Sequence, residues 1–366
     1  MAVIAGTTSC DDFLDREPMS SISPETYYST AAQLEANLND EYPNVLPSFG
    51  QWTYGIFGED KGTDNQIEVN ANDRYTQDRW KVPHSESDNW KFERIYRINF
   101  FLSEALPKFG EDMSGSQNTI SGSVATIKHY IGEMYFLRAY EYFKKLQLFG
   151  DFPIINQPLA DEMEALREAS KRFPRNEVAR FIISDLDKAY AYMSDVDMAT
   201  TRINKDVAML VKSRVALFEA TWLQNFKGTA FVPGGEGWPG ASLHNNYQYP
   251  SGNIDNEVKY FLEQAVEASK LVADKYKGSL TENTGVLQQS ADDPSNPYFD
   301  MFAQEDLSDV KEVLLWRQYA RGLSTHNINA AAGRGNYRIG LTRGFVQNFL
   351  MKDGTPVYAH GSYADG

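Results

Sequence analysis

Along most of this chain the apolar positions recur at spacings of three and four, and glycine-, asparagine- and aspartate-rich stretches separate the segments that keep this rhythm. Such spacing lines residues along one stripe of an α-helix, so the chain reads as mainly helical. A first stripe holds Tyr27, Ala31, Leu34 and Leu38. Ser23-Pro24-Glu25 opens it as an N-cap followed by proline at the first helical position, and Pro43 closes it. Ile95, Ile98, Leu102 and Ala105 predict a second helix ending at Pro107. The third, from Ser123 to Phe149, carries Ile127, Ile131, Met134, Leu137 and Tyr140 on its stripe. Tyr130, Phe136, Phe143 and Phe149 widen that face, which predicts neighbours on two sides. Gly150 then supplies a permissive C-terminal position and Pro153 prevents the helix resuming. Three more helices follow from Val178-Ile182-Leu186-Ala189-Met193, from Val207-Val211-Val215-Phe218-Trp222 and from Val258-Phe261-Ala265-Ala268-Val272. Beyond Ser279 the pattern is mixed, with a strand expected at Glu312–Tyr319 and a helix-like RGFVQNFLM.

Helices that start roughly 30 residues apart suggest helix–turn–helix units stacked as in a TPR solenoid, where each unit of about 34 residues buries its face only against its neighbours. The expected fold class is therefore mainly α, a TPR-like helical-repeat scaffold with long loops and a few short strands. Two irregular stretches break the rhythm. Asn44 to Val82 carries Trp52, Tyr54, Phe57, Tyr75 and Trp80; Asn225 to Asn253 carries Trp238, Tyr247 and Tyr249 among several glycines. Loops of this length are functional or disordered, and their aromatic content argues for order.

Composition narrows the function. The 366 residues can bury a large core, and a formal charge of -15 with no Lys/Arg cluster excludes a nucleic-acid-binding face. No run approaches the roughly 18 apolar residues of a transmembrane helix. One cysteine, Cys10, rules out an intrachain disulfide and a cysteine-based zinc site. His84, His129, His244, His326 and His360 show no short-range ligand pairing, and no GxSxG elbow is present. Gly234-Gly235-Glu236-Gly237 lacks the Gly-Lys-Ser/Thr of a phosphate loop and reads as a turn displaying Trp238. Asp195/Asp197 and Asp292/Asp293 lack EF-hand spacing and read as solvated turns. No cofactor or metal is expected, and no enzyme.

What remains is the set of aromatic side chains outside the helices. A rigid indole or phenol stacks on the C–H face of a sugar with little loss of entropy, while neighbouring acids and amides bond its hydroxyls. Trp52, Tyr54, Trp80, Trp238, Tyr247, Tyr249 and Tyr319 are candidates, with Asp60, Asp64, Asn65, Asn72 and Asp73 beside them in the first loop. The competing reading is that these rings anchor long loops onto the solenoid. The candidate ligand-contact set is Trp52, Tyr54, Asp60, Asp64, Trp80, Trp238, Tyr247 and Tyr319.

GEMYFLRAYEYFKKLQLFGDFPII (Gly132–Ile155) resembles the "FLRAYYYF…L…FGD-P" block of the SusD/RagB family of nutrient-binding outer-membrane lipoproteins of Bacteroidetes. RFPRNEVARFIISDLDKAYAYM, NKDVAMLVKSRVALFEATW, KEVLLWRQY and RGFVQNFLMKDGTPV resemble further family blocks, in family order. The resemblance implies a surface lipoprotein that binds an oligosaccharide and passes it to a SusC-like TonB-dependent transporter. Peptide capture, as in RagB-like members, or a TPR-type interaction role is the alternative. MAVIAGTTS resembles the end of a lipoprotein signal peptide (residues 1–9), which makes Cys10 the expected lipidation site and the outer membrane the expected location. Residues 10–366 are then expected to form one SusD-like domain, truncated at its C-terminus relative to family members.

Overall fold

The computed structural model describes residues 27–50, 60–67, 89–110, 112–194, 198–287, 290, 292–320, 322, 325 and 340–361. The chain divides into two compact units. Unit 1 comprises Met1–Leu46, Phe92–Leu280 and Lys311–Leu315, and unit 2 comprises Pro47–Lys91, Thr281–Val310 and Trp316–Gly366.

Unit 1 is helical. Its elements are α1 (Ala31–Val45), α2 (Glu93–Phe109), α3 (Val124–Phe149), the short α4 (Met163–Ala169), α5 (Arg175–Tyr192), α6 (Lys205–Asn225) and α7 (Ile254–Tyr276). α1 and α2 pack on α3, α3 on α5, α5 on α6 and α6 on α7, so burial passes from each helix to the next as in a solenoid. The mainly helical, TPR-like expectation holds. No helix among the described residues is long and apolar enough to cross a membrane.

Helix boundaries follow from local chemistry. Ser123 caps α3 by accepting from the Thr126 N–H, and Gly150 ends it at φ +67. Asn204 caps α6 and Asn253 caps α7 in the same way. Three expected boundaries are corrected. α1 begins at Ala31, where Thr30 and Gln33 form a reciprocal capping box, whereas Ser23-Pro24-Glu25 lies outside the described residues. Pro43 and Pro107 lie inside the last turns of α1 and α2 and stop neither. A proline there forgoes one backbone bond, and continuing the helix buries Val45 and Phe109 completely or nearly so.

α3 is buried on almost all sides, which accounts for its aromatic width. Tyr142 and Phe136 reach 1% exposure or less, and each such ring removed from water contributes about 1.5–3 kcal/mol. The helix also buries charge. Arg138 donates through Nε and Nη2 to Asp185 of α5 at 2.6 and 2.8 Å and through Nη1 to Asn99 of α2 at 2.9 Å. Glu133 accepts from Arg202 at 3.0 and 2.7 Å and from the Tyr42 hydroxyl at 2.8 Å. At Gly132 the helices nearly touch, since a Cβ there would lie 2.8 Å from Met193 N and 2.9 Å from Ala189 O.

Unit 2 is less regular. It holds the two-residue strands β1 (Gln66–Ile67) and β2 (Gly340–Leu341), paired antiparallel with Gln66 opposite Leu341, and the short helices α8 (Pro297–Met301) and α9 (Arg343–Gln347). Asn296 ties its own segment together, donating to Asn283 Oδ1 and Val286 O, both at 3.0 Å. The expected strand at Glu312–Tyr319 does not form. That segment runs as turns and coil, with no ladder neighbour among the described residues; its Leu314 carbonyl, which like Asn204 belongs to unit 1, accepts from Asn204 Nδ2 at 2.8 Å instead. The helix-like RGFVQNFLM becomes only the five residues of α9.

Candidate functional site

The sequence-predicted site residues fall in both units. In unit 2, Asp60 and Asp64 occupy one exposed turn, closed by the Gly62 N–H donating to Gln66 O at 3.0 Å. Asn65 donates to Asp60 Oδ2 at 3.2 Å, and the Asp64 carbonyl accepts from the Thr342 hydroxyl. Tyr319 is half-buried; its hydroxyl accepts from the Phe49 N–H at 3.3 Å, and the Arg317 guanidinium lies 5.6 Å from its ring. Trp52, Tyr54, Trp80 and Cys10, with Asn72 and Asp73, lie outside the described residues.

Trp238 and Tyr247 belong to unit 1, in the irregular segment between α6 and α7. Their rings are 5.6 Å apart, and His244 stacks on Trp238 at 6.0 Å. Trp238 is only 5% exposed, and Gly240 packs so closely on its six-membered ring that a Cβ would come within 2.2 Å of Cζ2. Its Nε1 donates to Asp151 Oδ2 at 2.7 Å. The Tyr247 hydroxyl donates to Asn176 Oδ1 at 3.1 Å while Asn176 Nδ2 donates back at 2.9 Å, and Tyr249 donates to Pro233 O at 2.7 Å. Burial pushes both phenols well above the usual tyrosine range, so they stay protonated donors. In this geometry the Trp238 faces are covered and the polar tips are spent on the scaffold, which is the anchoring arrangement.

These anchors frame a cavity of about 510 Å³. Its wall is built from the end of α3 and the following turn (Leu148, Gly150, Asp151), from Arg172 just before α5 and Arg175 at its first position, and from Trp222 of α6. The loop adds Phe231, Trp238 and Leu243. An antiparallel bridge between Phe152 and Phe173, with N–H to carbonyl bonds of 3.2 and 3.0 Å, pins the first two segments together. Sequence reasoning missed Asp151, Arg175, Leu148 and Phe231. Gly150-Asp151 was legible only as a helix stop, and Arg175 only as part of a helix start.

The polar floor is rigid. Asp151 Oδ1 accepts from the Arg175 N–H at 2.9 Å and Oδ2 holds Trp238. Burial pushes the Asp151 carboxyl up, against the bonds from Trp238 and Arg175 that pull it down. Arg175 donates through Nε to both Glu219 oxygens at 3.0 and 3.1 Å and through Nη2 at 2.8 Å, and its guanidinium sits 4.1 Å from the Trp222 ring centroid. Burial also raises Glu219, with Arg175 opposing it. No group of three or more His, Cys, Asp or Glu that could hold a metal occurs among the described residues.

The order of helices α1 to α6, with α3 ending in the Phe149-Gly150-Asp151 stop, coincides with a family profile. That profile, of SusD-like proteins described as starch-binding and associating with the outer membrane, matches residues 12–217. The chain belongs to this family. It is similar to two SusD-like proteins of the bacterium Formosa agariphila, at 26% identity over 235 residues and 25% over 233. Those alignments take in 61% and 58% of the chain but only 43% and 41% of the relatives, so the chain spans under half the length of the curated relatives it matches. A SusD-like carbohydrate-binding protein of Bacteroides fragilis shares the fold, with a TM-score of 0.55 at 15% identity over 93% of this chain and 57% of that one. In this SusD-like chain the family match stops within α6. Trp222, Phe231, Trp238 and Leu243, the outer wall of the cavity, lie past it.

Proposed function

We propose that this SusD-like chain acts at the bacterial surface as an outer-membrane lipoprotein, held by acyl chains on Cys10. It captures an oligosaccharide there and delivers it to a SusC-like TonB-dependent transporter. The observation that carries this reading is the family match over residues 12–217, which spans the helical scaffold from α1 into α6. Capture uses ring stacking and hydrogen bonding without bond cleavage, so no catalytic residue is assigned. Trp52, Tyr54 and Trp80 supply stacking faces, with Asp60, Asp64 and Tyr319 of unit 2 as polar partners. Trp238 and Tyr247 serve that capture indirectly, by anchoring the loop they belong to.

Calorimetry of the folded protein against a panel of glycans and peptides tests the proposal. Binding to one glycan class is expected. A protein that is folded by circular dichroism yet binds no member of the panel sinks the idea, and binding confined to peptides replaces the oligosaccharide with a peptide ligand. Trp80→Ala is expected to weaken the confirmed glycan by about tenfold, the worth of one lost stacking partner at 1–1.5 kcal/mol.

A further inference from the structure

The cavity of unit 1 contains a polar pair that the scaffold does not use up. Arg175 is 3% exposed, and Glu219 takes its Nε and Nη2 hydrogens. Its Nη1 has no hydrogen-bond partner among the described residues. A Cβ on Gly150 would lie 3.4 Å from that Nη1, so the missing side chain at this left-handed turn (φ +67) leaves the guanidinium edge uncovered at the cavity wall. Beside it Asp151 is held by one donor on each oxygen, and a carboxylate oxygen can accept more than one bond. A fixed donor thus stands next to a fixed acceptor.

The mouth of the cavity is apolar and open. Leu148, Phe231 and Leu243 are 57%, 61% and 52% exposed, although all three are large hydrophobic side chains. Trp222 Nε1 donates to the Phe231 carbonyl at 3.0 Å, and Phe226 meets the Phe231 ring edge-on at 5.4 Å. The Phe231 ring is therefore held in place at the rim with most of its surface bare. A polar floor behind an apolar rim, in a volume within the 300–1,000 Å³ range of small-molecule sites, is the composition of a ligand pocket.

Charge selects the ligand. Arg172 and Arg175 are matched by Asp151 and Glu219, so the floor has no surplus positive charge for an anion, and the Asp151 carboxylate would repel one. Adjacent hydroxyls of a neutral sugar satisfy the floor instead, one accepting from Arg175 Nη1 while its neighbour donates to Asp151. The C–H face of the ring then lies against Phe231 and Leu148. We infer that this cavity is a saccharide site for the neutral pyranose end of a glycan, separate from the loop residues of unit 2 to which the proposed function assigns capture.

Hydrogen–deuterium exchange on the full chain tests this with maltotriose, laminaritriose, mannotriose and cellotriose as neutral probes and trigalacturonate as the acidic one. At least one neutral probe is expected to slow exchange in peptides covering 145–152 and 228–244, and trigalacturonate is not. Phe231→Ala and Leu148→Ser alter only exposed rim side chains, so they should fold normally. Each should weaken that protection about tenfold, the effect of losing 1–1.5 kcal/mol of ring contact. Arg175→Lys, which keeps the charge but not the fork, should abolish it. The inference is overturned if no neutral probe protects these peptides, if trigalacturonate protects them equally, or if both rim variants behave as the parent. Calorimetric glycan binding without protection here would overturn this site and leave the proposed function standing. Protection here with total affinity unchanged by Trp80→Ala would support this site and remove Trp80 from the capture residues, while loss of all glycan binding would sink the proposed function.

Discussion

Two buried arginine–carboxylate pairs look alike and do different work. Arg138 of α3 and Arg175 of α5 each grip an acid on a neighbouring helix, and each is 3% exposed. Arg138 spends Nε, Nη1 and Nη2 on Asp185, Asn99 and the Asn156 carbonyl, so its guanidinium is closed. Arg175 leaves Nη1 open beside a glycine, at the wall of a cavity. Engaging every nitrogen of a buried guanidinium makes a structural rivet. Leaving one edge incomplete makes a place where something else can bind.

Removing the closed arginine should have the largest effect. Arg138→Ala strands the Asp185 carboxylate in the core and should cost about 3–5 kcal/mol, read as a lowered denaturation midpoint. A loss under about 1 kcal/mol would mean the pair is no rivet, and the contrast with Arg175 would break. Next comes the helix contact that the closed pair clamps. Gly132→Ala drives a methyl group into the Met193 and Ala189 backbone of the α5 end and should cost about 1–3 kcal/mol.

Around the open pair the effects should be smaller. Trp238→Phe removes the donor to Asp151 and one ring of a buried bicycle, and about 1–2 kcal/mol should be lost because that carboxyl is only partly buried. The same variant should loosen the loop, visible as faster exchange across residues 228–244. An unchanged exchange pattern would show that the indole nitrogen has no anchoring role.

The smallest effect sharpens the comparison by pH. Glu257 of α7 is pushed up by burial, but bonds from Arg180, Ser251 and Asn176 outweigh that and hold it below the ordinary glutamate value of 4.5. A depressed carboxylate stabilises the fold above its unfolded value, and that stability is lost as pH falls through the lower folded value. Glu219 and Asp151 are raised, so their contribution has the opposite sign: present at acid pH and lost as pH rises through their folded values. The melting temperature gap between the parent and Glu257→Gln should therefore narrow on going from neutral pH to below 4.5, whereas the gap for Glu219→Gln should not close in that direction. Parallel pH profiles for the two variants would contradict the assignment.

The helices were legible because their causes are local. Ser123, Gly150, Asn204 and the three-and-four stripes each act within a few residues, and α3, α5, α6 and α7 form where those marks place them. Pro43 and Pro107 misled because a proline near a helix end costs little when burial beyond it compensates. The strand expected at Glu312–Tyr319 needed a partner, which apolar alternation cannot supply. The site was hardest to read. Trp238 looked displayed because its acceptor, Asp151, is 87 positions away, and Tyr247 is bonded to Asn176 across 71 positions. Phe231 could not be told from a core ring by sequence, since exposure depends on what folds over it.

Two of the six tryptophans, Trp222 and Trp238, stand in the cavity wall, one under a guanidinium and the other bonded to a carboxylate. An indole's emission responds to the charges fixed around it, and both of these charges sit where a guest would shift or shield them. The molecule thus carries a built-in optical gauge of that cavity. Occupancy could be followed by eye of the spectrometer alone, with no dye attached and no label on the sugar.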